Sequence, residues 1–269
     1  MLHLSEARIN LTLIEAGGLV FFAGGYTSNG NSKTVDIYNP ATETFVTTEM
    51  STRRTGLTSV TLGNKVFFTG GDEIEKSSIV DIFDLTTKKW STSMLNAPRY
   101  KISAITLGNK AYFIGGNKID IYDDNTSQWS VFTLPKERFD PQLSILDNNI
   151  VIAGGLKNPS EQSEPENSVE FFNTSTQSVS EDCLLTGYRY YNGIYGNNQM
   201  VQTFDDKSFY YISNGVINKY DAAIKSWKIA LIESGSSDVL FKINSSMYTL
   251  KFDSNGGYLG KYSIYSVGL

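Results

Sequence analysis

An all-β fold follows from three observations on this chain of 269 residues. The first is composition: twenty-three glycines, fifteen phenylalanines, sixteen tyrosines and six prolines suit short strands and tight turns. Helices would need long glycine-poor stretches of period 3.6, and no convincing one is found. The second is self-similarity at a period of about 45 residues, the mark of an array of small supersecondary units. The third is an aromatic residue in every unit, followed in five of them, seven residues later, by a second bulky apolar position. Together these predict a single domain spanning residues 1–269, a six-bladed β-propeller of four-stranded antiparallel blades, because an open stack of such sheets would leave unprotected ends.

Each unit opens on an apolar anchor with an arginine four residues on. The anchors are Leu4, Met50, Leu95, Leu134 and Leu185, and the arginines Arg8, Arg54, Arg99, Arg138 and Arg189, five of the six in the chain. Met50 to Gly71 (MSTRRTGLTSVTLGNKVFFTGG) and Leu4 to Gly25 (LSEARINLTLIEAGGLVFFAGG) align without a gap. In units 1 to 4 the arginine precedes the second glycine of a pair by seventeen residues. Such constancy implies a rigid hairpin: an apolar run such as Leu57 to Leu62, a turn at Gly63-Asn64, then Val66 to Thr69. The glycine pair suits a place where φ is positive or another strand comes too close for a Cβ.

The third strand carries Tyr38, Phe83, Tyr122, Phe172 or Tyr220, and seven residues on stands Phe45, Trp90, Trp129, Val179 or Trp227. Polar turn formers fill the interval, as in Asn39-Pro40 and Asp123-Asp124-Asn125, making a second hairpin. A sheet with apolar residues on both faces needs a neighbour on each side, which is why the units must stack.

The double glycine, the following aromatic and the tryptophan seven residues on resemble the kelch repeat of the galactose oxidase central-domain-like superfamily. The resemblance covers nearly the whole chain and is specific in units 1 to 4. Unit 5 departs in having Asn214-Gly215 for the glycine pair and nine extra residues after Arg189; unit 6 has Phe252-Asp253 there and Ser236 at the arginine position. Tyr265 continues the third-strand series into the sixth unit. A circle closed on Leu4 would need about four residues more than the chain has, all in the outermost strand of the last blade. Two expectations stand open: Met1 to Leu4 closes that blade with a stub of strand, or the blade is incomplete. A start within a repeat also leaves open a piece trimmed from a longer protein.

A net charge of −5 argues against a nucleic-acid partner, which requires a basic excess on at least one face. No run of eighteen apolar residues suggests membrane insertion, and Met1 to Asn10 lacks the basic-then-apolar order of a signal peptide. One cysteine, Cys183, excludes an internal disulfide and leaves the compartment open, with the cytoplasm the default.

In a propeller the arginine sits where the chain returns from the outermost strand to the innermost, so five guanidinium groups are expected around one mouth. Arg8, Arg54, Arg99, Arg138 and Arg189 are therefore the candidate ligand-binding residues, since a guanidinium fork suits carboxylate. Tyr188 and Tyr190, with Tyr191 and Tyr195, flank Arg189 and suit a protein interface or a sugar surface as well as plain packing. The competing reading is structural. An acid recurs two residues before the third-strand aromatic, Asp36, Asp81, Asp120 and Glu170, and can pair with the arginines as ties. Unit 5 has Asn218 instead, which leaves Arg189 as the member without an acid of its own. Loops between second and third strands share that mouth and vary in length, which is where specificity resides on a constant scaffold. The longest, Leu156 to Ser168, reads as a disordered polar insertion or a recognition arm.

Galactose oxidase shows that a kelch-type ring can hold copper, but that site needs two histidines, two tyrosines and a cysteine cross-link, and this chain has only His3. His3 and Cys183 are likewise too few for a zinc site. Asp72, Glu73 and Glu75 read as a solvated charge run rather than a calcium loop. No catalytic residue, metal ligand or cofactor is assigned. The expectation is a non-catalytic binding module whose mouth accepts a protein, an acidic peptide or a carboxylated ligand. The alternatives are a carbohydrate-active enzyme or lectin resembling the sialic-acid epimerases, or an architectural domain of a longer protein. Nothing within these 269 residues reads as a BTB-like domain that would suggest an adaptor role.

Overall fold

The computed structural model of the chain describes residues 3–71, 77–158, 166 and 168–183, and beyond these the strands named below; side chains are described to residue 181 and at Tyr220. The described residues form antiparallel sheets and contain no helix. The first sheet holds β1 (Thr12–Ala16), β2 (Leu19–Ala23), β5 (Thr34–Asn39) and β6 (Thr44–Glu49); a two-stranded ribbon, β3 (Tyr26–Thr27) and β4 (Gly30–Asn31), stands in the loop between β2 and β5. The second holds β7 (Leu57–Leu62), β8 (Lys65–Gly70), β9 (Ser77–Asp84) and β10 (Trp90–Arg99). The third pairs β11 (Ser103–Leu107), β12 (Lys110–Asp123) and β13 (Gln128–Arg138). The fourth holds β14 (Gln142–Leu146), β15 (Asn149–Ala153), β16 (Ser168–Asn173) and β17 (Ser178–Cys183). The fifth holds β18 (Gln199–Gln202), β19 (Ser208–Ser213), β20 (Val216–Asp221) and β21 (Ser226–Ile232); the sixth, β22 (Ser237–Ile243), β23 (Ser246–Asp253) and β24 (Lys261–Val267). Two compact units divide the chain, Met1–Asp140 with the first three sheets and Pro141–Leu269 with the rest.

The third sheet is a four-strand unit in disguise. Straight, β12 would be about 45 Å long, yet Asp124 N–H reaches the Asn109 carbonyl at 2.9 Å and Asn109 Nδ2 reaches Asp123 at 2.8 Å. The run therefore doubles back at the glycine pair, consistent with the six-residue span between Gly116 and Tyr122.

Inside the first unit the alternation of β8 shows how the sheets stack. Val66 and Phe68 pack with Phe21, Val35 and Ile37 of the first sheet, while Phe67 packs with Phe113 and Tyr122 of the third. Each of these three β8 side chains is fully buried, a contribution of about 1.5–3 kcal/mol apiece. In the second unit Phe171 of the fourth sheet packs on Tyr220 of the fifth, ring centroids 5.1 Å apart.

The seven-residue interval in the sequence is a cross-strand pair. Tyr38 lies opposite Phe45, Phe83 opposite Trp90, Tyr122 opposite Trp129, Phe172 opposite Val179 and Tyr220 opposite Trp227. Phe83 and Trp90 meet edge to face at 5.1 Å, and the Trp90 indole N–H donates to Thr48 Oγ1 of the neighbouring sheet at 3.0 Å. The turn of this hairpin is closed by its first polar residue. Asn39, Asp84, Asp123 and Asn173 each accept, on Oδ1, the N–H two residues on, and the residue before or close to the fourth strand, Glu43, Lys88, Ser127 or Gln177, adopts a left-handed φ of 50–57°.

Gly24 and Gly25 have both properties expected of the pair. Their φ values are +64° and +102°, and a Cβ on Gly24 would stand 2.5 Å from the Arg54 carbonyl oxygen and 2.7 Å from Leu57 Cδ2. Gly24→Ala is therefore expected to cost about 3 kcal/mol or more, from backbone strain and overpacking together. Gly108→Ala, where φ is also positive but nothing lies within 4 Å, should cost only about 1 kcal/mol. Urea midpoints of the two variants check the difference.

Candidate functional site

The arginine position lies on the connector between the last strand of one sheet and the first strand of the next. In Arg54 the main chain belongs to the sheet behind: its N–H donates to Ser32 O at 2.9 Å and its carbonyl accepts from Gly25 N–H at 2.9 Å. Its side chain belongs to the sheet ahead, where Nη1 donates to Ile79 O at 2.8 Å and Nη2 is ion-paired with Asp81. Arg99 repeats the arrangement. Its backbone is in register with Ser77 of the second sheet, and its side chain donates to Gly115 O and Lys118 O of the third at 2.9 and 3.1 Å, paired with Asp120. Arg8 donates to Gly24 O at 2.9 Å and to Thr34 O and Asp36, each at 2.5 Å.

The acids complete the clamp from the other side. Asp36, Asp81 and Asp120 also accept the N–H of the residue after each anchor: Ser5 at 3.2 Å, Ser51 at 2.9 Å and Asn96 at 2.8 Å. The anchors Met50, Leu95 and Leu134 are buried. The arginine thus fills the carbonyls that the glycine corner turns away from the ladder, while its acid holds the incoming connector.

Burial decides how these guanidinium groups can act. The side chains of Arg8 and Arg54 are 0% and 1% exposed, and that of Arg99 11%. Desolvation lowers the pKa of Arg54, with Asp81 opposing, and lowers that of Arg99 to about 10, which leaves Arg99 charged at neutral pH. Arg138 is fully buried, its backbone in register with Gly116, and Glu170 is fully buried in β16. The sequence-derived Arg189, Tyr188 and Tyr190 lie outside the described residues. So do Asp72, Glu73 and Glu75, and most of the long loop after Leu156.

A second repeated position escaped the sequence reading. Two residues beyond each arginine the chain turns left-handed, at Asn10, Gly56, Lys101 and Asp140, with φ between 50° and 62°. Main-chain bonds link these corners: Gly56 N–H to Asn10 O at 3.1 Å and Asp140 N–H to Lys101 O at 2.8 Å. Only one of the four is glycine, so composition gave no signal. Asp140 is an exposed residue, and desolvation of its carboxyl by the surrounding protein raises its pKa, Lys101 acting in the opposite sense.

Among the described residues no group of three or more His, Cys, Asp or Glu side chains could hold a metal ion, and no helix is long and apolar enough to cross a membrane. No protein-family model matches the chain, and no curated protein matches it in sequence.

Removing Asp81 strands a buried guanidinium, so Asp81→Ala is expected to lower the unfolding free energy by about 3–5 kcal/mol. Replacing both partners, Arg54→Met with Asp81→Leu, should cost clearly less than the sum of the single changes, and denaturant titration of the cycle measures the coupling. For Asp140 the folded pKa lies above the ordinary 3.8, so the folded state favours the protonated form. Its contribution is full below the ordinary value and lost as pH rises through the raised one. Asp140→Asn should therefore raise the melting temperature at neutral pH, with the difference vanishing as pH falls below the ordinary carboxylate range.

Proposed function

We propose that the chain is a six-bladed, kelch-like β-propeller that serves as a non-catalytic interaction module, taking an acidic peptide through the mouth at which its connectors turn. What supports the architecture is the repetition of one register in five successive sheets, with both faces of the second sheet buried against neighbours. What supports the site is an exception to the arginine clamp. Arg8, Arg54 and Arg99 have their donors on an internal acid and on carbonyls, so these three are satisfied within the fold, Arg54 and Arg99 as ties between adjacent sheets. In the fifth unit the acid position is Asn218, which leaves the Arg189 charge to be matched from outside.

A carboxylate from the partner supplies the anion that Asp36, Asp81 and Asp120 supply in their own units, and the guanidinium fork favours it over a simple point contact. Tyr188, Tyr190 and Tyr191 neighbour Arg189 in the sequence, and tyrosine with arginine is a pairing typical of interface hot spots. The same tyrosines keep a sugar acid as a second candidate, because a ring stacked on tyrosine with its carboxylate on arginine uses the same groups.

Arg189→Ala is expected to weaken binding of a glutamate-rich peptide at least about tenfold while leaving the melting temperature within a degree or so of the parent. Arg54→Ala should instead lower the melting temperature sharply. Titration of both variants with the peptide and with N-acetylneuraminic acid decides between the ligands. Unchanged binding in Arg189→Ala, or unfolding as severe as that of Arg54→Ala, overturns the site.

A further inference from the structure

Arg53, the sixth arginine of the chain, falls outside the repeated position. Its neighbour Arg54 turns inward, whereas Arg53 is exposed and spends one donor, Nη1, on the Asn31 carbonyl at 3.4 Å. Among the described residues it has no carboxylate partner. The acids beside the ribbon are already engaged, Glu6 with the Ser32 hydroxyl and Glu49 with Lys33.

The ribbon of β3 and β4 joins this arginine to an apolar pair. On one side Ile9 and Tyr26 exchange main-chain hydrogen bonds of 3.0 and 2.8 Å. On the other, the connector of Arg53 and Arg54 runs beside Asn31 and Ser32, with Arg54 N–H on Ser32 O at 2.9 Å. Between them Tyr26 lies opposite Asn31. Residues directly opposed in an antiparallel ladder stand on the same face, so Ile9, Tyr26 and Asn31 form one row with Arg53 at its end. Alternation turns that row outward, because the side chain of Arg8, the residue before Ile9, is fully buried. Ile9 and Tyr26 are accordingly 70% and 50% exposed. From Ile9 to Arg53 the row crosses three strand spacings, about 14 Å.

We propose that this row is a docking strip for an extended acidic segment of a partner protein, which lays a carboxylate on Arg53 and an apolar side chain over Tyr26 and Ile9. Charge decides the occupant: the guanidinium has donors left over, the acids around it are engaged, and its fork matches a carboxylate. Exposed tyrosine and isoleucine side by side, ended by arginine, have the composition of an interface anchor. Two strand spacings separate Arg53 from Tyr26, about 10 Å, so in an extended segment the acid and the apolar residue stand about two to four positions apart. A second copy of this chain is a poorer fit, since the net charge of −5 sets two copies against each other. The inference rests on the reading of the chain as an interaction module but not on Arg189, so each assignment can fail while the other stands.

The test is an array of hexapeptides that combine Asp or Glu with Leu, Ile, Phe or Tyr at every spacing, probed with the full chain and followed by titration of the bound peptides. Peptides with the two residues two to four positions apart should bind best. Arg53→Ala and Tyr26→Ser should each weaken them at least about tenfold while the melting temperature stays within about a degree of the parent, as befits exposed residues. Arg53→Lys, which keeps the charge but not the fork, should restore only part of the affinity, and Arg189→Ala should leave it unchanged. An array with no bound peptide overturns the proposal, as does binding indifferent to Arg53→Ala and Tyr26→Ser. Self-association of the parent chain that Tyr26→Ser abolishes overturns it too, because a second copy would then be the occupant.

Discussion

The connector arginine is the constraint on which the described sheets depend, because one residue is held by two of them. In Arg54 the peptide group is hydrogen-bonded to the glycine corner of the first sheet and the guanidinium to the third strand of the second. Neither half would persist alone. An extended connector has few bonds to fix its height against a neighbouring sheet, and a buried cation needs both a carboxylate and carbonyls to offset its desolvation. Joined in one residue, they set the spacing of adjacent sheets without any regular strand pairing between them. The apolar faces then close over it: Phe21, Phe68 and Phe83 on one side of the second sheet, Phe67, Phe113 and Tyr122 on the other.

Much of this was legible in the sequence because each part leaves a residue of fixed type at a fixed interval. The inner hairpin was placed from Leu57 to Thr69 and occupies Leu57–Gly70. The aromatic and the tryptophan seven residues on are opposite one another because a two-strand hairpin with a short turn makes that interval a register. The acid two residues before the aromatic could be named as a partner of arginine, and Asp36, Asp81 and Asp120 are so placed.

What was not legible has a physical reason as well. Left-handed corners at Asn10, Lys101, Asp140, Glu43, Lys88, Ser127 and Gln177 are enforced by bonds from outside the residue, so side-chain type says little about them. The ribbon of β3 and β4 did carry a signal, Asn29-Gly30 between short strands, but its setting inside a loop of variable length hid it. The degree to which the guanidinium groups are withdrawn from water could not be read either, since it depends on the neighbouring sheet and not on the repeat that carries the arginine.

Because the peptide group and the side chain of Arg54 answer to different sheets, the covalent period and the packing period are out of phase. A whole period gained or lost among the first three sheets would still leave each of their junctions with its glycine corner, its cation and its acid. A single-residue insertion between Arg54 and Gly71 has no such neutrality, for it would move one end of the clamp relative to the other. Length drift is thereby steered into the stretch after the glycine pair, where spans of 6 to 17 residues already coexist on one scaffold.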